Sequence, residues 1–529
     1  MTFAALRALH ATIGHSIDDL ERIYRECSNS KPLDYPRLED PYYAHVSHSA
    51  DEELAQQLTH ENPAVSLASK RIVASCGQLT ATVNRPWYGL IESIKAGDVS
   101  AALRFMEAAH IPEILRELGP KGVHVQDIHR AVVELRREDA RPDPSIFTPM
   151  RLGHLLRVLA TSHWVQEVAP DVYANNRRSS YIDSGKTLEQ LRTEPGKKYL
   201  GTNGVAAFTA FAGGDACKSA NNITEWLLPD IRIPSPVSDA EGQCSRAGGG
   251  EPMPEGPSDV ENLGTHSAVV QYHAPFNIAF DERLDFFSWL ERPENRSRLE
   301  RFGHAVTGTC LWETTDEILH GYPWAELPSG SVLVDVAGGI GSTSIKVAQA
   351  YPHVQVVVED RPQVVELAPS SWGPQYAPLF NSGRMTFRAQ DIFAPRERLA
   401  SGKEPDVFLL RTILHDWQDE DCRCILRQLR SAAGPSTKLL IGDMLLPHAC
   451  TPAVGGEALL VADHAPLLPN LGMGNIHGYI MDITMMAAFG AKERTVEEMS
   501  QLALSTGWKV ETVKRFPGSL WAYTTAVPV

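Results

Sequence analysis

The sequence lacks any long apolar run. No stretch of its 529 residues approaches the ~20 consecutive apolar residues of a membrane-spanning helix. The opening residues, MTFAALRALHATIGHSIDDLERIY, hold no uninterrupted apolar core of the signal-peptide kind. Basic residues are the minority, with 49 Lys and Arg against 65 Asp and Glu and a formal charge of −16. Nucleic-acid phosphates call for a basic face, so this balance argues against a nucleic-acid partner. Cysteine is sparse. There are eight, none in a CxxC spacing, and Cys422 and Cys424 point to different faces of a helix. They read as reduced thiols of a cytoplasmic protein. No HExxH or Cys/His pattern has ligand spacing, so no metal site is expected.

What the chain does contain is the profile of a soluble globular protein, 43% apolar and 22% charged. At ~150 residues per domain its length implies two to four units. Leu6, Leu9, Ile13, Ile17, Leu20 and Tyr24 recur at three- and four-residue steps, one apolar helix face. That face either packs on the core or meets another subunit. Helical patterning continues to about residue 135. Leu152, Leu155, Leu156 and Leu159 mark a further helix, followed by two extended runs, Trp164–Val168 and Val172–Ala174. A helix followed by a small hairpin is the layout of a winged helix. Residues 234–266 are rich in Pro, Gly, Ser and Glu and bury too little apolar surface to offset their ordering entropy, so a disordered surface loop is expected there.

From about residue 328 the texture changes. SVLVDVAG, VQVVVED, MTFRAQD, DVFLLRTIL and TKLLIGDMLL are continuous apolar runs alternating with helices. Such runs suit strands buried on both faces of a parallel sheet. The expectation is a doubly wound, Rossmann-like α/β domain whose ligands lie beyond the C-terminal strand ends. The ending WKVETVKRFPGSLWAYTTAVPV reads as a hairpin added to that sheet, its last strand antiparallel.

The first strand runs into a glycine-rich turn with Gly338, Gly339 and Gly341, where the backbone turns tightly and approaches a ligand closely. Asp335, Asp360 and Asp391 close three successive strands. A carboxylate after the second strand can accept both ribose hydroxyls, and one after the third an adenine amino group. Three acids outline a pocket for an adenosine that bears no phosphate, because a pyrophosphate prefers free N–H groups and nearby bases. The sulfonium of S-adenosylmethionine tolerates such acid-lined walls. His415 follows the fourth strand, FLLRTIL, and so reaches the same rim. An imidazole with an ordinary pKa of about 6.5 suits proton abstraction near neutrality.

These stretches resemble the class I S-adenosylmethionine-dependent O-methyltransferases of the plant caffeate type and their fungal relatives. LVDVAGGIG is similar to the family's first cofactor motif, EDRPQVV to its Asp-Leu-Pro motif, LHDWQDEDC to its His-Asp-Trp stretch, and KERT at 492–495 to its last motif. The likeness is dense over residues 326–529 and looser over the helical region before it.

The resemblance implies a seven-stranded methyltransferase sheet at 326–529, preceded by a mainly helical dimerisation and winged-helix domain at 1–325. It implies His415 as catalytic base, with Asp443 and Glu493 orienting its imidazole. It puts the cofactor against Asp335, Gly338, Gly339, Gly341, Asp360, Asp391, Ile392 and Arg411. Met485, Met486 and Phe489 are candidates for gripping an aromatic ring, or else members of a Met-rich core helix, and Phe302 and Val306 align loosely with the same pocket. The cofactor is S-adenosylmethionine, the substrate a small aromatic hydroxyl compound, possible secondary metabolism its setting, and the assembly a homodimer. Two departures stand out. Ala337 replaces the loop's first glycine, and Asp443 replaces a glutamate and shortens that arm by one methylene. Rival readings are a nicotinamide-dependent oxidoreductase, which shares the glycine turn and Asp360, and a non-enzymatic winged-helix regulator with a degenerate methyltransferase fold.

Overall fold

In Val332–Val336 every residue is buried, so the segment has no face to offer water and requires a layer on each side. The computed structural model describes residues 3–28, 33–119, 121–231, 273–308, 317–368, 372, 376–396, 398–399, 402–450 and 465–529. The segment 234–266 lies outside the described residues. Among these, β1 (Val123–His124), β2 (Gln166–Ala169) and β3 (Val172–Ala174) make a small antiparallel sheet in the order β1-β3-β2. The expected helix precedes its hairpin at Pro149–Thr161, with Leu152, Leu156 and Leu159 buried.

β4 (Val332–Val336), β5 (Gln355–Asp360), β6 (Met385–Ala389), β7 (Val407–Arg411), β8 (Lys438–Met444), β9 (Trp508–Lys514) and β10 (Trp521–Pro528) form a seven-stranded sheet in the order β6-β5-β4-β7-β8-β10-β9. The first five of these are parallel, and β10 runs antiparallel to both β8 and β9. This is the methyltransferase sheet expected from the sequence, with its terminal hairpin. The strand order reverses direction from β4, leftward through β5 and rightward through β7. That reversal opens the crevice at the C-terminal strand ends in which ligands of such sheets sit.

Alternate residues feed two cores. Leu333 joins Val356, Val358, Leu440 and Trp521 on one face, while Val334 and Val336 join Phe408, Leu410, Ile441 and Trp508 on the other. Each such side chain contributes about 1.5–3 kcal/mol when fully buried, so the sheet is the rigid element from which the rim loops hang.

The N-terminal helices pack on the sheet domain. Leu9 and Ala74 belong to the same core as Leu333 and Trp521, and Lys70 Nζ donates to Gly518 O at 3.0 Å. The core therefore crosses the boundary expected at residue 325. The apolar stripe of the first helix (Phe3–Cys27) is divided in its use: Leu9 and Tyr24 are buried, while Ile17 is exposed.

Candidate active site

The glycine turn after β4 lies flat over an acid. A Cβ on Gly338 would fall 2.5 Å from the Asp335 carboxylate, so only glycine fits there. Asp335 itself is buried and accepts from Ser344 Oγ at 2.7 Å, and burial raises its pKa to about 6. It supports from beneath the turn that the sequence reading puts against the cofactor. Asp360, at the end of β5, accepts from Gly339 N at 2.8 Å through Oδ2 and from Arg361 N at 2.8 Å through Oδ1. Burial still pushes its pKa up. Asp391 is exposed after β6 and accepts from Phe393 N at 2.9 Å, while Ile392 packs partly on the core. Arg411 ends β7 with its guanidinium 4.8 Å from the Trp521 ring, close enough to Asp335 to lower that acid's pKa. Gly341 starts the following helix at φ 83°.

Ala337 takes φ 54°, the left-handed region, although it carries a Cβ. The conformation the family builds from glycine is kept, at a strain of roughly 1–2 kcal/mol. The rim thus presents a tight glycine turn with the carboxylates of Asp360 and Asp391 beside it.

Across the crevice, His415 sits on a single 3₁₀ turn, Leu414–Asp416, directly after β7. Its Nδ1 lies 2.7 Å from Glu493 Oε1, and its Nε2 lies 3.5 Å from Asp416 Oδ1. Glu493 is in turn held through its N–H, which donates to Asp482 Oδ1 at 2.9 Å. Asp443 is buried nearby, but among the described residues neither of its oxygens accepts a hydrogen bond. The sequence reading has Asp443 and Glu493 together hold the ring; among the described residues Glu493 makes that hydrogen bond and Asp443 does not. One methylene shorter than the glutamate of the family motif, Asp443 still raises the His415 pKa through its charge.

That charge matters. Burial alone would push the His415 pKa down, yet Glu493, Asp416 and Asp443 outweigh it and raise it to about 10. Burial lifts Asp416 to about 6 and Asp443 to about 7, with His415 opposing both. The ordinary imidazole pKa assumed from sequence does not survive three neighbouring carboxylates.

On the substrate side the three candidates on the helix Ile476–Phe489 diverge. Met485 is buried, Met486 lines a cavity of about 810 Å³ that also touches Gln418 and Lys492, and Phe489 stacks on Phe287 with centroids 5.2 Å apart at 17°. Phe287 also stacks on Trp417 at 6.0 Å, and Trp417 meets Phe393 edge-on at 4.8 Å. A run of rings thus leads from the Asp391 loop past the catalytic turn. Phe302 joins it through Phe287, 6.1 Å away, and Val306 is exposed. Sequence reading missed Phe286 and Phe287; the aromatic density of LDFFSWL was the available signal. Among the described residues no group of three His, Cys, Asp or Glu side chains is arranged to hold a metal, and no helix is long and apolar enough to cross a membrane.

Comparison with known proteins shows the family and the fold. The model of the O-methyltransferase domain family matches residues 314–509. An O-methyltransferase of Armillaria gallica is 34% identical over 99% of this chain and 100% of its own length. The 4-O-methyltransferase 1 of Phanerochaete chrysosporium is 31% identical over 96% of each chain. Among solved structures, the mitomycin 7-O-methyltransferase MmcR covers 86% of this chain and 100% of its own at a TM-score of 0.55 and 18% identity. LepI in complex with S-adenosylmethionine covers 91% and 98% at 0.59 and 16%. At such identities the solved structures speak for the fold; the curated relatives speak for the family. The oxidoreductase and regulator readings fall with them.

Proposed function

We propose a phenolic hydroxyl of a small aromatic molecule as the methyl acceptor of this chain, which belongs to the S-adenosylmethionine-dependent O-methyltransferase family. The observation that supports a phenol is the placing of His415 beside a wall of rings, with Trp417, Phe287 and Phe489 stacked in sequence. Flat aromatic faces favour a flat aromatic ligand.

The cofactor supplies an electrophilic methyl group. Toward it, Gly338, Gly339 and Gly341 offer a close-lying backbone, Asp360 the free lone pairs of its carboxylate for ribose hydroxyls, and Asp391 and Ile392 the adenine end, with Arg411 at the far side of the turn. His415 would take the phenol's proton on Nε2 as the oxygen accepts the methyl group that the bound cofactor would supply. Nδ1–H stays on Glu493, which fixes the tautomer and stabilises the imidazolium. Asp443 and Asp416 add negative charge and make the imidazole a stronger base. Few imidazoles are then unprotonated at neutral pH, but each that is accepts a proton with greater driving force. Holding acceptor and methyl in line contributes ~7–11 kcal/mol, more than the base.

The test is incubation with isotopically labelled S-adenosylmethionine and a panel of phenols, catechols and polyketide aromatics, read by product mass. Label entering a phenolic oxygen is expected. Methylation confined to carboxylic acids or amines would overturn the reading.

The helical half reads as a dimerisation domain containing a winged helix. Its helix Pro86–Ile94 has no buried residue, and Trp87, Leu90 and Ile94 stand exposed on it. A second copy covering that face gives a homodimer; a monomeric mass at micromolar concentration would exclude it.

A further inference from the structure

Arg494 is among the largest fully buried side chains of the protein, and its charge lowers the pKa of Asp443 in the imidazole cluster, yet its hydrogen bonds fall outside that cluster. It follows Glu493 directly. A parallel bridge to Leu445 and the bond from Leu446 N to Arg494 O at 2.9 Å pin this pair to the end of β8. Neighbouring residues of an extended chain point opposite ways. Glu493 turns to the imidazole, and Arg494 turns to the backbone that carries it.

The contacts are specific. Arg494 Nη1 donates to Leu414 O at 2.7 Å, and Nη2 donates to Trp417 O at 3.1 Å. These two carbonyls bracket His415 and Asp416. The other end of the fork is anchored on Asp419 Oδ1, at 3.2 Å from Nε and 2.8 Å from Nη2. Cys422 Sγ reaches the same two carbonyls at 3.2 and 3.4 Å, but a thiol is a weak donor.

The turn needs an outside hold. One turn of 3₁₀ helix has poor hydrogen-bond geometry of its own. Just before it, Thr412 sits at φ 55°, where a β-branched residue is strained. A guanidinium presents rigid, divergent donors that span two carbonyls and a carboxylate at once. An ammonium is a single point charge that does not.

We propose that Arg494 is a positioning residue for methyl transfer: braced on Asp419, its guanidinium clasps the Leu414 and Trp417 carbonyls and fixes the turn that aims His415. This rests on the reading of His415 as the base.

The test compares Arg494→Lys, His415→Ala and the double variant, using the phenol that the wild type turns over fastest. Arg494→Lys is expected to lower kcat by ~10–100-fold, the scale of a misplaced reacting group. The KM for S-adenosylmethionine and the affinity for S-adenosylhomocysteine, read by titration calorimetry, stay within about twofold, because the glycine turn is untouched. In the His415→Ala background the lysine change is expected to add nothing, since there is no imidazole left to aim. Equal losses in both backgrounds, or a loss of S-adenosylhomocysteine binding in parallel with kcat, would overturn the positioning role and leave the base assignment standing. Wild-type turnover by His415→Ala would overturn the base assignment, and this inference with it. Should Arg494→Lys fail to fold, Asp419→Asn removes the anchor from a half-exposed site, and the same pattern is expected at smaller size, with the same outcomes deciding.

Discussion

Asp360 and Asp443 both lie at C-terminal ends of strands in one sheet, and they are treated in opposite ways. Asp360 accepts two backbone N–H groups within a short stretch of its own rim. Asp443 is the more deeply buried of the two and accepts none among the described residues. The glycine-turn side is thus stabilised by backbone donors. The His415 side is a cluster of charges around one imidazole, brought together from segments 78 residues apart in the case of His415 and Glu493. Backbone donors persist when side chains change. A charge cluster does not, so substitutions there should shift both activity and its pH dependence.

The largest test of that contrast is His415→Ala, expected to lower kcat by ~10²–10⁴-fold while S-adenosylhomocysteine affinity, measured by calorimetry, stays at the wild-type value. A parallel loss of affinity would mean the two sides are not separate. Next comes the pH profile. Only unprotonated imidazole accepts a proton, so with its pKa at about 10 the wild-type log kcat/KM should climb through the alkaline range. Removing the nearest charge by Glu493→Gln should move that limb down by more than about one pH unit. Measured with phenols of different acidity, a limb that follows the phenol and ignores Glu493→Gln would show that the carboxylates do not set the base.

A smaller effect is expected from Asp443→Asn. The folded pKa of about 7 lies above the ordinary carboxylate value, so the folded state holds this proton more tightly than the unfolded chain. Asp443 therefore costs stability as pH rises from about 4 through 7, with the full penalty above 7. The asparagine variant should gain about 1–3 kcal/mol at pH 8 and nothing at pH 4, read by calorimetric Tm. The smallest change belongs to the glycine-turn side. Ala337→Gly relieves the left-handed strain and should add about 1 kcal/mol, on the order of 2 °C in Tm, with turnover unaltered. A fall in Tm would mean that the alanine Cβ packs favourably enough to offset its strain.

Much of this was legible in the chain. The five apolar runs, the glycine turn, the three strand-end acids and the terminal hairpin are contiguous patterns, and the sheet reproduces them. His415 and Glu493 were named because their motifs are local, and they meet at 2.7 Å. The reading failed where the decisive quantity was distance between remote segments. That Asp335 lies directly beneath Gly338 was not legible from its place near the end of a strand. Phe287 was passed over because an aromatic in an amphipathic helix looks like any core residue until Trp417 and Phe489 are set beside it. That Leu9 and Ala74 pack on the same core as Leu333 and Trp521 was likewise invisible to a reading of local texture.

The sequence by itself determined the sheet, the cofactor turn and the identity of the central imidazole, because each depends on residues within a few positions of one another. Tertiary structure decided which acid touches that imidazole, how tightly it holds its proton and what keeps its turn in place. Charge interaction and desolvation grow steeply as separations shrink to a few ångströms inside a water-poor site, and those separations are set by the packing of distant segments.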